Sequence, residues 1–166
     1  IVACSNSPEK LMEKGDVALE KSMPNEAQSY YQNIVDNFPD EQLAQEASYK
    51  IAWIELDRNG NYEMGFNVLN SLVEKYPDGE FGLAAKSDIE EFPRWLINKT
   101  NALRSDSISS QAMQTVDYLI DNFQEDNIVP EALYMKGNIY LNDLKEYYRA
   151  INTYQEVIYK YKGTNY

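Results

Sequence analysis

The chain contains no histidine and only one cysteine among its 166 residues, and both shortages limit its chemistry. Without histidine, the Ser–His and Cys–His pairs of nucleophilic enzymes are excluded, and so are zinc sites that combine cysteine with histidine. The single thiol, Cys4, has no second cysteine with which to form an intrachain disulfide. No glycine-rich phosphate loop is present either. We therefore predict a protein that is not an enzyme and that uses no metal or cofactor.

Long hydrophobic runs and basic residues are also scarce. No stretch approaches the ~18–20 apolar residues of a membrane-spanning helix. The 27 acidic residues outnumber the 15 basic ones and give a net charge of −12. This charge argues against nucleic acid as a partner, because phosphates require a basic surface. The acidic surface has two interpretations: a solvated face that favours solubility, or a docking surface for a basic protein partner.

What the chain does contain is a repeated pattern of two amphipathic helices joined by a tight turn. The second helix of each copy ends near an aromatic residue, at Phe38, Tyr76, Phe123 and Tyr161. These positions are separated by steps of 38, 47 and 38 residues, and self-similarity at such a period is typical of helical repeat arrays. In the last copy, the predicted buried stripe of the second helix consists of Tyr147, Ala150, Ile151, Tyr154, Val157 and Ile158.

The first copy has the most informative spacing. Gly15, Ala27, Tyr31 and Pro39 follow one another as the Gly, Ala, Phe and Pro of the tetratricopeptide repeat do, and the chain resembles that family. The resemblance implies an all-α fold, a right-handed α-solenoid of about four helix–turn–helix units. The alternative is a generic helical bundle, which needs no fixed period.

The resemblance divides the chain into an array with two short flanking segments. We predict a lipobox-like N-terminus and spacer over residues 1–8, units over about 9–40, 41–78, 79–126 and 127–163, and the start of a further repeat at 164–166. The third unit is longer, and its first helix is expected to be kinked or restarted at Pro93, because proline disrupts a helix interior. We also expect residues 105–107 to cap the next helix, and the extra residue of the fourth unit to lie in its turn.

In tetratricopeptide arrays, the first helices of successive units line a concave groove that holds extended peptides or partner helices. The resemblance therefore implies a partner-binding groove whose positions are counted from the Gly position of each unit. The count gives Met12, Asp16 and Leu19, then Tyr49, Trp53 and Leu56, then Tyr134, Asn138 and Leu141. Arg94 and Trp95, beside Pro93, are further binding candidates. The competing interpretations are that Tyr49 and Trp53 pack between units and that Trp95 fills the core.

The first residues, Ile1-Val2-Ala3-Cys4, follow the order of a bacterial lipobox, and Ser5-Asn6-Ser7 follows as a polar spacer. Processing at a lipobox would remove the three residues before Cys4, and they are present in this sequence. The alternative is a free terminal thiol without a role.

A lipidated repeat protein of this kind resembles the BamD-like lipoproteins of outer-membrane β-barrel assembly. That resemblance implies a protein-binding scaffold in the bacterial cell envelope, anchored by lipid on the periplasmic face of the outer membrane. Two alternatives remain: a periplasmic coordinator of the Tol–Pal type, and a cytoplasmic co-chaperone adaptor. The adaptor would clamp a C-terminal carboxylate with Lys and Asn, and of the groove positions only Asn138 fits.

Overall fold

The computed structural model describes residues 7–163, and this part of the chain is all-α with no strand. The eight α-helices are α1 (Pro8–Glu20), α2 (Pro24–Asn37), α3 (Gln42–Trp53), α4 (Tyr62–Lys75), α5 (Glu80–Ser105), α6 (Ser109–Asn122), α7 (Val129–Asn138) and α8 (Tyr147–Lys160). Two short π-helical segments, Ile54–Asn59 and Ile139–Asp143, continue α3 and α7. The predicted all-α class of paired helices is confirmed.

The chain divides into two compact halves, Ile1–Glu90 and Glu91–Tyr166, with the division inside α5. In the N-terminal half, α1 packs on α2, α2 on α3 and α3 on α4. In the C-terminal half, α6 packs on α7 and α7 on α8. Within each half, these helices lie against their neighbours in the sequence, which is the packing expected of stacked helical hairpins.

In the first and fourth pairs, close approach of the two helices depends on a glycine that faces a large ring. A side chain at Gly15 would overlap the ring of Tyr31, and one at Gly137 would overlap the ring of Tyr154. The alanines of the second helices, at Ala27, Ala112 and Ala150, are all buried. Small residues on one helix therefore make room for the aromatic or apolar residues of the other.

The turn inside each pair contains one residue in the left-handed backbone region. These residues are Ser22, Gly60, Ser107 and Lys145, with φ of 58°, 66°, 60° and 60°. Only the second of the four is glycine, the residue that adopts this conformation most easily. That glycine lies in the Asn-Gly-Asn sequence of residues 59–61, and the other three turns reach the same geometry without glycine.

Each π-helical segment accommodates one residue more than the corresponding part of the first unit. The Gly and Ala positions of the repeat are 12 residues apart in the first unit (15 and 27) and 13 apart in the fourth (137 and 150). The connection between the helices is three residues long in both units, at 21–23 and 144–146. The prediction that the fourth unit's extra residue lies in its turn is therefore wrong. A wider helical turn, Ile139–Asp143, absorbs it within the helix instead.

Two further local predictions are corrected in the third unit. Helix α5 runs unbroken from Glu80 to Ser105 and contains Pro93 in its interior, so of the two predicted alternatives, a kink or a restart at Pro93, the restart is wrong. Residues 105–107 do not cap α6 with a side chain. Its N-cap residue is Ile108, which makes no side-chain capping bond.

The buried stripe of α8 is narrower than predicted. Ala150 and Val157 are buried and Tyr154 is half-buried. Tyr147, Ile151 and Ile158 are exposed, although the pattern placed them on the buried face. Among the described residues, no helix is long and apolar enough to cross a membrane.

Candidate functional site

In the N-terminal half, the inner sides of α1 and α3 border an open cleft of about 360 Å³. We call it the α1–α3 cleft; it is lined by Leu19, Tyr49, Lys50, Trp53, Ile54, Asp57 and Arg58. Of the groove residues counted from the sequence, Leu19, Tyr49 and Trp53 are brought together here, and all three are partly exposed. Most of the lining is apolar, with charged side chains at positions 50, 57 and 58.

The two aromatic side chains of the cleft are held by one carboxylate on α5, that of Asp88. Tyr49 donates its hydroxyl to Oδ2 of Asp88 at 2.6 Å, and Trp53 donates its indole N–H to the same oxygen at 3.1 Å. Phe81 supports Tyr49 from the side, with ring centroids 5.6 Å apart. These contacts fix the orientation of both rings, so that the cleft presents a defined aromatic surface.

A second carboxylate, that of Asp16, holds Lys50, which lines the cleft, and Tyr31. Its Oδ1 accepts hydrogen bonds from the Tyr31 hydroxyl and from the Lys50 ammonium, both at 2.6 Å. Lys50 also pairs with Glu46 at 3.2 Å, one turn away on α3. Asp16 was predicted as a groove residue. The structure places it at the junction of α1, α2 and α3, where it holds two other side chains.

These contacts shift three pKa values. Burial, followed by donation to Asp88, raises the pKa of Tyr49 to about 12. Burial and the hydrogen bond to Asp16 raise the pKa of Tyr31 well above the ordinary range. For Lys50, burial lowers the pKa, but the hydrogen bonds to Asp16 and Glu46 outweigh it and the net shift is upward. At neutral pH these groups are therefore fixed in their protonated forms, which suits binding better than proton transfer.

Two of the predicted groove residues are core residues. Met12 is 7% exposed and Leu56 is fully buried. Leu56 was counted as the equivalent of Leu19, but the π-helical segment Ile54–Asn59 lies between Trp53 and the turn. One extra residue in a helical turn rotates the following side chains by about 100°. Leu56 therefore faces the position of Gly65, where a Cβ would clash with it, and Asp57 lines the cleft instead.

In the C-terminal half, the remaining predicted residues lie on the second part of α5, on α7 and, for the exposed Leu141, on the π-helical segment after α7. Nη1 of Arg94 donates hydrogen bonds to both carboxylate oxygens of Glu131, at 2.8 and 3.0 Å, within an ion pair. Tyr134, one turn further along α7, is 44% exposed, and its ring lies 5.7 Å from that of Tyr154. Asn138 accepts a hydrogen bond from the Tyr154 hydroxyl at 3.0 Å. Tyr134 is therefore the predicted residue in this half with the most accessible ring.

Trp95 has a mixed environment. It is partly buried and stacks on the fully buried Phe92, with centroids 5.5 Å apart and planes at 9°. The Lys99 ammonium lies 6.0 Å from the centroid of the Trp95 ring. Because Trp95 stacks on Phe92, one face of the Trp95 ring packs against the core, as the core-filling interpretation requires. Partner binding by Arg94, Trp95 or the α7 residues stays a prediction.

Three residues that organise these surfaces were not found from the sequence: Lys50, Asp88 and Glu131. Asp88 lies in the irregular third unit, where the repeat count gave no groove positions. Lys50 and Glu131 lie beside counted positions, yet nothing in a repeat pattern marks a charged residue as an ion-pair partner. Among residues 7–163, no cluster of three or more His, Cys, Asp or Glu side chains could hold a metal ion.

The sequence profile of the tetratricopeptide repeat matches residues 46–79 and 131–164. These two segments are therefore similar to the tetratricopeptide repeat. They fall on the second and fourth predicted units, and each begins within a first helix, α3 or α7.

No curated protein sequence matches the chain. Among solved structures, a crystal structure of the P58(IPK) TPR domain is similar to it, with 15% sequence identity and a TM-score of 0.45. The similarity covers 98% of this chain and 53% of that one, so the chain spans about half the length of the solved relative.

Proposed function

We propose that the protein is a non-enzymatic scaffold that binds a segment of a partner protein in the α1–α3 cleft. The observation that carries the proposal is the pair of partly exposed aromatic rings, Tyr49 and Trp53, anchored on Asp88. Aromatic side chains dominate the binding energy of protein interfaces, and rings that are already oriented lose little conformational freedom on binding. The two segments that are similar to the tetratricopeptide repeat support the same class of function.

The lining of the cleft indicates the chemistry of the bound segment. Leu19, Trp53 and Ile54 offer an apolar floor for an aliphatic or aromatic side chain. Asp57 and Arg58, which pair with each other at 3.4 Å, offer polar groups beside that floor. A short extended peptide or one turn of a helix, with one apolar anchor and polar neighbours, fits this arrangement.

Replacing the central ring tests the proposal. Peptides that bind the wild-type chain would be selected from a random peptide library and their affinities measured by isothermal titration calorimetry. We expect Trp53→Ala to weaken binding by more than ~1 kcal/mol with little change in melting temperature. Met64→Ala, a change at an exposed residue of α4, is the matched control and should leave affinity unchanged. Equal affinity of Trp53→Ala and wild type would refute the cleft as the site, and a collapse of its melting temperature would show that Trp53 is a core residue.

A second part of the proposal concerns the location of the protein in the cell. We propose that Cys4 carries lipid and holds the scaffold in a bacterial envelope, on the periplasmic face of the outer membrane, as in BamD-like assembly lipoproteins. Cys4 lies outside the described residues, so the support is the Ile-Val-Ala-Cys order and the polar spacer after it. Anchoring by acyl chains needs no basic patch, because each buried CH₂ contributes about 0.8 kcal/mol. It is therefore compatible with a net charge of −12.

Fractionation of the source cells tests this location separately from the cleft. The full-length wild-type protein should sediment with the membranes, and its N-terminal peptide should show the added mass of acyl chains. Cys4→Ser should appear in the soluble fraction without added mass. If both proteins are recovered equally from the soluble fraction, the lipid anchor is refuted and the cytoplasmic adaptor becomes the better hypothesis.

A further inference from the structure

The negative charge of the chain is concentrated in the half that contains the α1–α3 cleft. Residues 1–90 include 17 acidic and 7 basic residues, which gives a net charge of −10. Residues 91–166 include 10 acidic and 8 basic residues, which gives a net charge of −2. A concentration of one sign of charge attracts and orients a partner of the opposite sign. The charge of the N-terminal half therefore favours a basic partner.

Two basic side chains line the cleft, and both already have acidic partners. The Lys50 ammonium lies 2.6 Å from Asp16 and 3.2 Å from Glu46. The Arg58 guanidinium lies 3.4 Å from the carboxylate of Asp57. An acidic segment would have to displace these carboxylates or approach cations whose charge is already balanced, and like charges placed side by side weaken binding. The cleft therefore does not favour an acidic segment.

Asp88 differs from these residues, because it is an acidic residue without a basic partner in the part of the chain that the structure describes. Its Oδ2 accepts hydrogen bonds from two neutral donors, the Tyr49 hydroxyl and the Trp53 indole N–H. Its Oδ1 accepts no hydrogen bond from residues 7–163 and is in contact with solvent. The basic residue Lys86 lies two positions away on α5, about 200° around the helix. Oδ1 is thus open to a donor from another molecule.

The surroundings of this oxygen suit a guanidinium group. Tyr49 and Trp53 lie one turn apart on α3, and both rings are partly exposed. A guanidinium is planar, so it can stack on an aromatic ring and donate an N–H to a carboxylate at the same time. Its positive charge would also balance that of Asp88 in a charge-assisted hydrogen bond, which is stronger than a bond between neutral groups.

We propose that the segment bound at the α1–α3 cleft is basic, and that one of its arginines pairs with Oδ1 of Asp88 and lies against the rings of Tyr49 and Trp53. This inference rests on the proposed function, because it names the chemistry of the segment that the cleft binds. Asp88 does not line the cleft itself, but it is bonded to two residues that do. The apolar side chain of the segment therefore lies on Leu19 and Ile54, and the arginine lies beside it, towards α5.

Peptide selection followed by replacement of arginine tests the inference. A random peptide library would be selected on the immobilised 166-residue chain, and we expect arginine to be enriched in the recovered peptides. The tightest of them would be resynthesised with citrulline, which has the shape of arginine without its charge, and titrated by calorimetry. Binding should weaken roughly tenfold, because a charge-assisted hydrogen bond is lost. Both peptides are measured on the unaltered protein, so this comparison does not depend on the folding of a variant.

The variant Asp88→Asn shows whether Asp88 is the group that the arginine reaches. Asparagine keeps an oxygen that accepts hydrogen bonds from Tyr49 and Trp53, but it removes the charge. The arginine and citrulline peptides should bind this variant with affinities within about twofold of each other. If Asp88 only oriented the rings, both peptides would lose the same affinity and the preference for arginine would remain. The matched control is Glu90→Gln, which removes one charge from an exposed position on α5 and should keep the full preference.

Three results would overturn the inference: selected peptides that lack arginine, equal binding of the arginine and citrulline peptides, or an unchanged preference for arginine in Asp88→Asn. In each of these cases, weaker binding to Trp53→Ala would still support the cleft, so the two proposals fail separately. If no peptide binds the wild type, both are refuted. Sedimentation equilibrium would also overturn the inference if the wild type dimerised and Asp88→Asn did not, because the occupant would then be a second copy.

Discussion

At the scale of single residues, Tyr49 provides a titration that reports on the cleft. An unfolded tyrosine ionises near 10.0, whereas burial and the Asp88 bond raise the pKa of folded Tyr49 to about 12. Between these values the unfolded state loses a proton that the folded state keeps. The stability that Tyr49 contributes is therefore fully present below pH 10 and is lost as the pH rises towards 12. We expect urea midpoints of the wild type to fall more steeply over this range than those of Tyr49→Phe.

The control for this measurement is Tyr148→Phe, because the Tyr148 ring is almost fully exposed and removing its hydroxyl disturbs no buried group. Its urea midpoints should fall as steeply as those of the wild type. Identical pH profiles for Tyr49→Phe and the wild type would mean that the bond to Asp88 is not maintained in solution.

Counting along a repeat predicts the exposure of some groove positions and fails at others. Tyr49 and Trp53 precede the first π-helical segment, and both line the cleft. Leu56 lies within that segment and is rotated into the core. Met12 lies in a regular helix, yet it is buried by packing that the count does not describe. Partner binding by the counted residues is not tested by their positions and stays a prediction.

At the scale of helices, the sequence predicts which helices exist and their order better than it predicts the residues at which they end. Helices α1 and α2 begin at Pro8 and Pro24, because proline is favourable in a first turn, where no backbone donor is needed. The turns at Ser22, Ser107 and Lys145 carry no comparable signal. Their left-handed residue is stabilised by the packing of the helices on either side, and such tertiary effects are not visible in a local sequence pattern.

Helix α5 shows a tertiary effect that overrides a local rule. Pro93 lacks a backbone N–H, and its ring crowds the preceding turn, so a kink or a restart was predicted there. In the structure Pro93 is buried, and its neighbours Phe92, Leu96 and Ile97 are buried as well. The apolar contacts of this segment hold the helix together across the proline, since burial of several large side chains outweighs about 3 kcal/mol of local cost.

At the scale of the whole molecule, the net charge of −12 has a consequence for stability. Like charges repel more strongly when the chain is compact, so self-repulsion lowers the free energy of unfolding at low ionic strength. Ion pairs such as Lys50–Asp16 and Lys136–Asp117, at 2.6 and 2.7 Å, oppose this effect locally. Partly exposed pairs of this kind contribute about 0–1 kcal/mol each, and salt weakens them as well.

We expect the repulsion to dominate, and a thermal melt followed by circular dichroism measures the balance. Raising NaCl from ~20 to ~200 mM at pH 7 shortens the screening length from roughly 20 to roughly 7 Å, which removes most of the long-range repulsion and leaves contacts below 3 Å less affected. The melting temperature should rise by about 2–4 °C, the change that about 1 kcal/mol produces in a chain of this size. Near pH 4.4, where the net charge of the sequence is close to zero, the same addition of salt should have little effect. A melting temperature that falls with salt at pH 7 would show instead that the ion pairs between helices stabilise the fold by more than the repulsion among its acidic residues destabilises it.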